Sequence, residues 1–120
     1  MRILLDHCVP KRFGRLLVGH EVRTTFDMGW AALTNGVLLN RCSESFDVFL
    51  TVDQNLQFQQ NLSALPVPVI ILVTSDNRLP TLEPFAPAVI RVLEQPVVRE
   101  LIRIETVDRI IRLPGRNLPP

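Results

Sequence analysis

Val48-Phe49-Leu50-Thr51-Val52 is an apolar, strand-forming run that stops at Asp53, and Ile3-Leu4-Leu5 stops in the same way at Asp6. Runs that are apolar at consecutive rather than alternate positions belong to strands buried on both faces, as in a parallel sheet. Working outward, Pro10 suits the first turn of a helix, Phe13, Leu16 and Leu17 follow at helical spacing, and Gly19 ends it. His20 to Thr24 reads as a second strand with Val22 inward, and Asp27-Met28-Gly29-Trp30 as a turn or loop. Val37, Leu38, Leu39 and Cys42 mark a helix from Asn35 to about Glu44. Beyond Asp53, Leu56 to Leu62 is a Gln-rich short helix or ordered loop, and Val67 to Val73 is the most strand-like run of all. Thr81 to Glu94 carries Phe85, Val89, Ile90 and Leu93 on one helical face, and Leu101 to Ile104 reads as a last strand.

Strands alternating with helices in this order predict an α/β protein, a single three-layer α/β/α domain with a mainly parallel central sheet. The expected domain runs over 1–105. A tail over 106–120, in which Ile110, Ile111 and Leu113 alternate with arginines, is expected as an added strand or a partner-binding arm. The Arg-rich segment from Arg99 to Arg116, with strand-like apolar residues but no clear place in the core, is also expected to contribute to self-association as a homodimer or to binding a partner chain.

The chain of 120 residues is 47% hydrophobic and 21% charged, enough to build a core and too short for a multidomain enzyme. A net charge of +1 singles out no class of partner. Lys11 stands alone among arginines, and arginine suits bidentate contacts to carboxylate or phosphate, although genomic base composition explains the bias equally well. Cys8 and Cys42 form no disulfide framework, and with His7 and His20 they lack zinc spacing. They read as small buried hydrophobes. No secretory pattern opens the chain, and the longest apolar stretch, Pro66 to Val73, falls far short of the ~20 residues that span a bilayer. The expectation is a cytoplasmic protein without membrane contact.

Ligands of parallel α/β sheets bind beyond the carboxyl ends of the strands, where Asp6 and Asp53 both fall. Two carboxylates held close together destabilise each other unless a cation or a shared proton intervenes. Mg²⁺ takes one or two protein carboxylates and fills its other positions with water and substrate phosphate. Such an ion supports in-line hydrolysis of a phosphodiester. Asn35 and Asn55 are candidates for further ligands or for holding metal-bound water. Equally, Asp6 and Asp53 can simply cap the helices that follow them.

Leu4-Leu5-Asp6-His7-Cys8-Val9-Pro10, Gly19-His20-Glu21-Val22-Arg23-Thr24 and Gly29-Trp30 belong to a wider pattern. It continues through Asn35-Gly36-Val37-Leu38-Leu39, Asp47 to Leu56 and Gln59-Gln60-Asn61-Leu62. Over about residues 1–95 the combination resembles the small bacterial PIN-like proteins, related to PIN-domain ribonucleases and described as toxins of toxin–antitoxin pairs. The resemblance implies a PIN-like fold, an acidic pocket for Mg²⁺ or Mn²⁺, cleavage of RNA, and an antitoxin protein as partner. The family pattern places its first acid at Asp6 and its strand-end acid at Asp53, which become the expected catalytic residues and metal ligands. Two further acids of that pattern fall on Asn35 and Asn55, and position 7, often Glu in the relatives, is His7. With two amides in place of carboxylates, the metal is expected to bind weakly.

Lys11, Arg12 and Arg15, directly after Asp6, and Arg78, after the strand ending near Thr74, are the expected nucleic-acid contacts; a solvated helix face is the plainer account of the first three. His7 is a candidate ligand or general acid, or else an edge histidine. Trp30 can stack on a base or anchor packing, and Gln59, Gln60 and Asn61 can read bases or satisfy backbone groups. The expected function is thus a metal-dependent ribonuclease of PIN-like type. The alternative is a non-catalytic PIN-like module that binds RNA or a protein with an incomplete metal site. A receiver-like signalling domain is set aside, because Asp6 has no acidic neighbour and no lysine follows Lys11.

Overall fold

Ile3, Leu4 and Leu5 are fully buried, and so are Val48, Phe49, Leu50 and Thr51. That is the burial expected of central strands covered on both faces. The computed structural model describes residues 1–95 and 98–114. Its strands are β1 (Arg2–Leu5), β2 (Glu21–Thr24), β3 (Val48–Thr51), β4 (Val69–Leu72), β5 (Glu100–Thr106) and β6 (Arg109–Pro114). They form one six-stranded sheet in the order β2-β1-β3-β4-β5-β6. The first five strands run parallel, and β6 returns antiparallel to β5. Helices α1 (Thr25–Met28), α2 (Asn35–Ser45), α3 (Leu56–Gln59), α4 (Leu79–Leu82) and α5 (Ala86–Glu94) connect them, with 3₁₀ turns at Lys11–Leu16, Leu62–Ala64 and Glu83–Phe85.

Each face of the sheet has its own core. Ile3, Leu5, Leu50, Ile70 and Ile102 pack under Phe13, Val89 and Val92 on one face. Leu4, Phe49, Val69, Ile71 and Leu101 pack under Leu38, Leu39 and Cys42 on the other. Successive strand residues point to opposite faces, so odd and even positions of the same run feed different cores. The result is the expected α/β domain with helices on both sides of a mainly parallel sheet. Among the described residues no helix is long and apolar enough to cross a membrane.

Several elements differ from the sequence reading for identifiable reasons. The segment after Asp6 is a 3₁₀ turn, Lys11–Leu16, in which Phe13 N–H donates to Pro10 O at 2.9 Å. Gly14 lies so close to the sheet that a Cβ there would sit 2.7 Å from Val22 Cγ1. Asp27 belongs to one turn of helix, α1, rather than a loop: Thr24 Oγ1 accepts from Asp27 N–H at 3.0 Å and an Asp27 carboxylate oxygen accepts from Thr24 N–H at 2.9 Å. That reciprocal capping box is a recognised helix start. The Thr81–Glu94 helix is broken into α4, a 3₁₀ turn and α5, because Pro84 and Pro87 lack the N–H that a continuous helix needs.

The C-terminal part of the chain has a place in the core. Leu101, Ile102 and Ile104 are fully buried, Ile110 packs against the first core and Leu113 against the second. Of the tail expected over 106–120, β6 is an edge strand of the sheet, and residues 115–120 lie outside the described residues.

Candidate functional site

The geometry of the site starts from strand register. β1 and β3 are adjacent and parallel, with Leu5 opposite Leu50, and Asp6 N–H donates to Leu50 O at 2.9 Å. The two aspartates therefore leave the sheet at the same edge, at the carboxyl ends of neighbouring strands.

Thr51 joins them. Its hydroxyl donates to Asp6 Oδ2 at 2.7 Å and accepts from Asp53 N–H at 3.0 Å. Asp6 is 3% exposed, and its other oxygen, Oδ1, accepts from His7 N–H at 2.8 Å and lies 3.0 Å from His7 Nδ1. Cys8 Sγ stands 3.5 Å from both Asp6 Oδ2 and Thr51 Oγ1. Burial pushes the Cys8 thiol up, against the hydrogen bond to Thr51 that lowers it. It is a half-buried member of the site rather than the inert core residue expected. Asp53 is more open. Its Oδ1 accepts from Asn55 N–H at 3.0 Å, the turn an aspartate makes at the start of a helix.

The amides enter from two helices. Asn35 begins α2, and its Nδ2 donates to Gln59 Oε1 of α3 at 3.1 Å. α2 precedes β3 by a short connection and α3 follows it, so both asparagine-bearing ends lie toward the Asp53 edge. Asn61 accepts from Ser63 N–H at 3.0 Å and serves the turn it starts.

The basic residues divide into two groups. Arg78 follows β4, and Asn77 Nδ2 donates to Cys8 O at 2.9 Å, tying that loop to the loop after Asp6. The Arg78 side chain is 79% exposed, 3.6 Å from Asp76 Oδ1. Lys11 and Arg15 line a cleft along the edge strand β2, whose lining includes neither Asp6 nor Asp53. Arg12 is exposed. Trp30 meets Phe46 edge-on, with ring centroids 6.1 Å apart, and packs against the second core, so it is a packing anchor.

Arg103 escaped the sequence reading. In register with Ile71 on β4, which is itself in register with Thr51, it shares their face of the sheet. Its guanidinium donates to Gln57 Oε1 at 2.6 Å and to Glu105 Oε2 at 3.3 Å. An arginine at the second-core face of a buried strand, at the parity of Leu101, was the available signal.

The donor set fits some metals and not others. Among the described residues no group of three His, Cys, Asp or Glu side chains can hold a metal ion, which rules out a closed site of the zinc type there. A hard cation that takes one or two carboxylates and keeps its water asks less, and Asp6 and Asp53 are the two carboxylates that follow the adjacent strands β1 and β3. Comparison with models of protein families, with curated proteins and with solved structures found no match to this chain.

Proposed function

We propose that the chain is a metal-dependent ribonuclease of PIN-like type, the toxin of a toxin–antitoxin pair. The observation that supports it is the convergence of Asp6 and Asp53 at the carboxyl ends of adjacent parallel strands, linked through one Thr51 hydroxyl. A bound Mg²⁺ or Mn²⁺ would supply charge neutralisation at the scissile phosphate and a more acidic water. The chain's own part is positional. Asp6 and Asp53 would hold the ion, with Asn35 and Asn55 as neutral oxygen donors. Thr51 holds the Asp6 carboxylate by a hydrogen bond, and Arg78, on the loop after β4, would meet a flanking phosphate.

A second reading has its own support. Every carboxylate oxygen of Asp6 already accepts a hydrogen bond from within the chain, which is how a purely structural aspartate behaves. On that reading the domain binds RNA or a partner protein without cutting.

Cleavage of single-stranded RNA, titrated with Mg²⁺ and Mn²⁺, separates the two. Metal-dependent cleavage that disappears in both Asp6→Asn and Asp53→Asn supports the nuclease. Binding without cleavage, unchanged in both variants, establishes the non-catalytic module.

A further inference from the structure

Lys11 and Arg15 project into one cleft with His20, Val22 and Asp27, a concavity of about 230 Å³ on the flank of the edge strand β2. This is a different place from the aspartate site. Val22 packs against the first core, whereas the strand face that carries Thr51 belongs to the second. One wall is the Lys11–Leu16 turn, drawn close at Gly14. The cleft follows β2 from His20, before its start, to Thr24 and Asp27 at its end. Four strand residues at roughly 3.3 Å each make a channel of about 13 Å.

The charges in it do not cancel. Lys11 Nζ lies 3.0 Å from Asp27 Oδ1, and Asp27 also accepts from Thr24 N–H, so the single carboxylate is fully engaged. Arg15 is exposed and pairs with no carboxylate among the described residues. Burial lowers the His20 pKa, so at neutral pH its imidazole is uncharged and offers a polar edge without adding to the cationic charge. A guanidinium fork beside an ammonium suits the tetrahedral oxygens of phosphate. Between them, Gly14 and Val22 give an apolar floor against which a sugar or a base can lie.

We propose that this cleft is a nucleotide-phosphate site, in which Arg15 and Lys11 contact the phosphate and Val22 the attached nucleoside. The phosphate comes either from the backbone of single-stranded RNA or from a free nucleotide. The inference deepens the ribonuclease reading only in naming where RNA is held; the site itself does not require cleavage.

Binding in EDTA keeps the two apart. A labelled single-stranded oligoribonucleotide is titrated at low salt and followed by fluorescence anisotropy, with AMP, inorganic phosphate and poly-glutamate as competitors. Arg15→Gln and Lys11→Gln, both at exposed positions, should each weaken binding about tenfold. Each should also reduce the salt slope by about 0.7. Arg41→Gln, at an exposed arginine of α2 that does not line the cleft, should leave binding unchanged. In amide NMR spectra the ligand should shift His20, Thr24 and Asp27. Displacement by AMP and phosphate identifies a free nucleotide as the source, and resistance to both identifies the RNA backbone. No binding, binding insensitive to Lys11→Gln and Arg15→Gln, or displacement by poly-glutamate as effective as by unlabelled RNA would overturn the assignment. A failed cleavage assay with this binding intact would remove only the nuclease reading.

Discussion

Thr51 donates its hydroxyl proton to Asp6 Oδ2 at 2.7 Å, between two buried side chains on neighbouring parallel strands. Thr51 Oγ1 in turn accepts from Asp53 N–H, so one hydroxyl orients the first aspartate and the backbone that carries the second. A buried carboxylate is tolerable only when donors surround it, and Thr51 supplies one of them.

Replacing Thr51 by valine keeps the shape and removes both bonds. The Thr51→Val variant should lose about 1–3 kcal/mol, because Asp6 Oδ2 loses its strongest donor. Urea denaturation measures the loss, and Thr51→Ser should restore most of it. Equal destabilisation by serine and valine would instead assign the role of Thr51 to packing of its methyl group.

Much of this arrangement was legible in the sequence, because it rests on local rules. The consecutive apolar residues of Val48–Val52 and Ile3–Leu5 required buried strands, and their parallel direction in a sheet of alternating strands and helices then put Asp6 and Asp53 at one edge. What was hidden depended on side chains meeting across strands. Thr51 reads as one more β-branched strand residue until its neighbour in register is known, and Arg103 reads as one more residue of the last expected strand until its partners across the sheet are known. The capping box of Thr24 and Asp27 was in plain view as a Thr-x-x-Asp spacing, with aspartate in place of the commoner glutamate.

Gly14 is required for closeness rather than for an unusual backbone. A methyl group there would lie 2.7 Å from Val22 Cγ1 and 3.3 Å from Leu5 Cδ1, so these side chains must shift to admit it. Gly14→Ala should therefore cost about 1–3 kcal/mol, the usual penalty for overpacking. In a double-mutant cycle, Val22→Ala should recover part of it, since the nearest clash is then gone. Fully additive losses would show that the two positions do not press on each other.

Acid should weaken the β2–α1 corner, which is intact at neutral pH. The Thr24 N–H, and after it the Lys11 ammonium, hold the Asp27 carboxyl below its ordinary value of 3.8. A carboxyl whose pKa is lower in the folded state stabilises the fold above its unfolded value, and the contribution fades as pH falls through the folded one. The wild type should lose stability below about pH 4. In Asp27→Asn, which cannot ionise, the component belonging to this residue should be missing from the curve of stability against pH. Superimposable curves for the two proteins would place the acid sensitivity elsewhere.

Asn35 presents a neutral oxygen where a carboxylate would add a third negative charge to the Asp6–Asp53 edge, and its Nδ2 is engaged by Gln59 Oε1 at 3.1 Å. Asn35→Asp removes that donor and sets the new carboxylate against the Gln59 carbonyl, so in the absence of metal the two groups should separate. With Mn²⁺ present, the added charge should offset the repulsion, because hard cations bind more tightly as anionic oxygen ligands accumulate. Isothermal titration should then show tighter Mn²⁺ binding in Asn35→Asp than in the parent chain. Thermal unfolding should rise more steeply with added Mn²⁺, as expected of a ligand that binds only the folded state. The Asp53→Asn change in the same background should abolish the gain. An Asn35→Asp protein that binds Mn²⁺ no better than its parent would place residue 35 outside the metal's reach, leaving Asp6 and Asp53 to hold any ion alone.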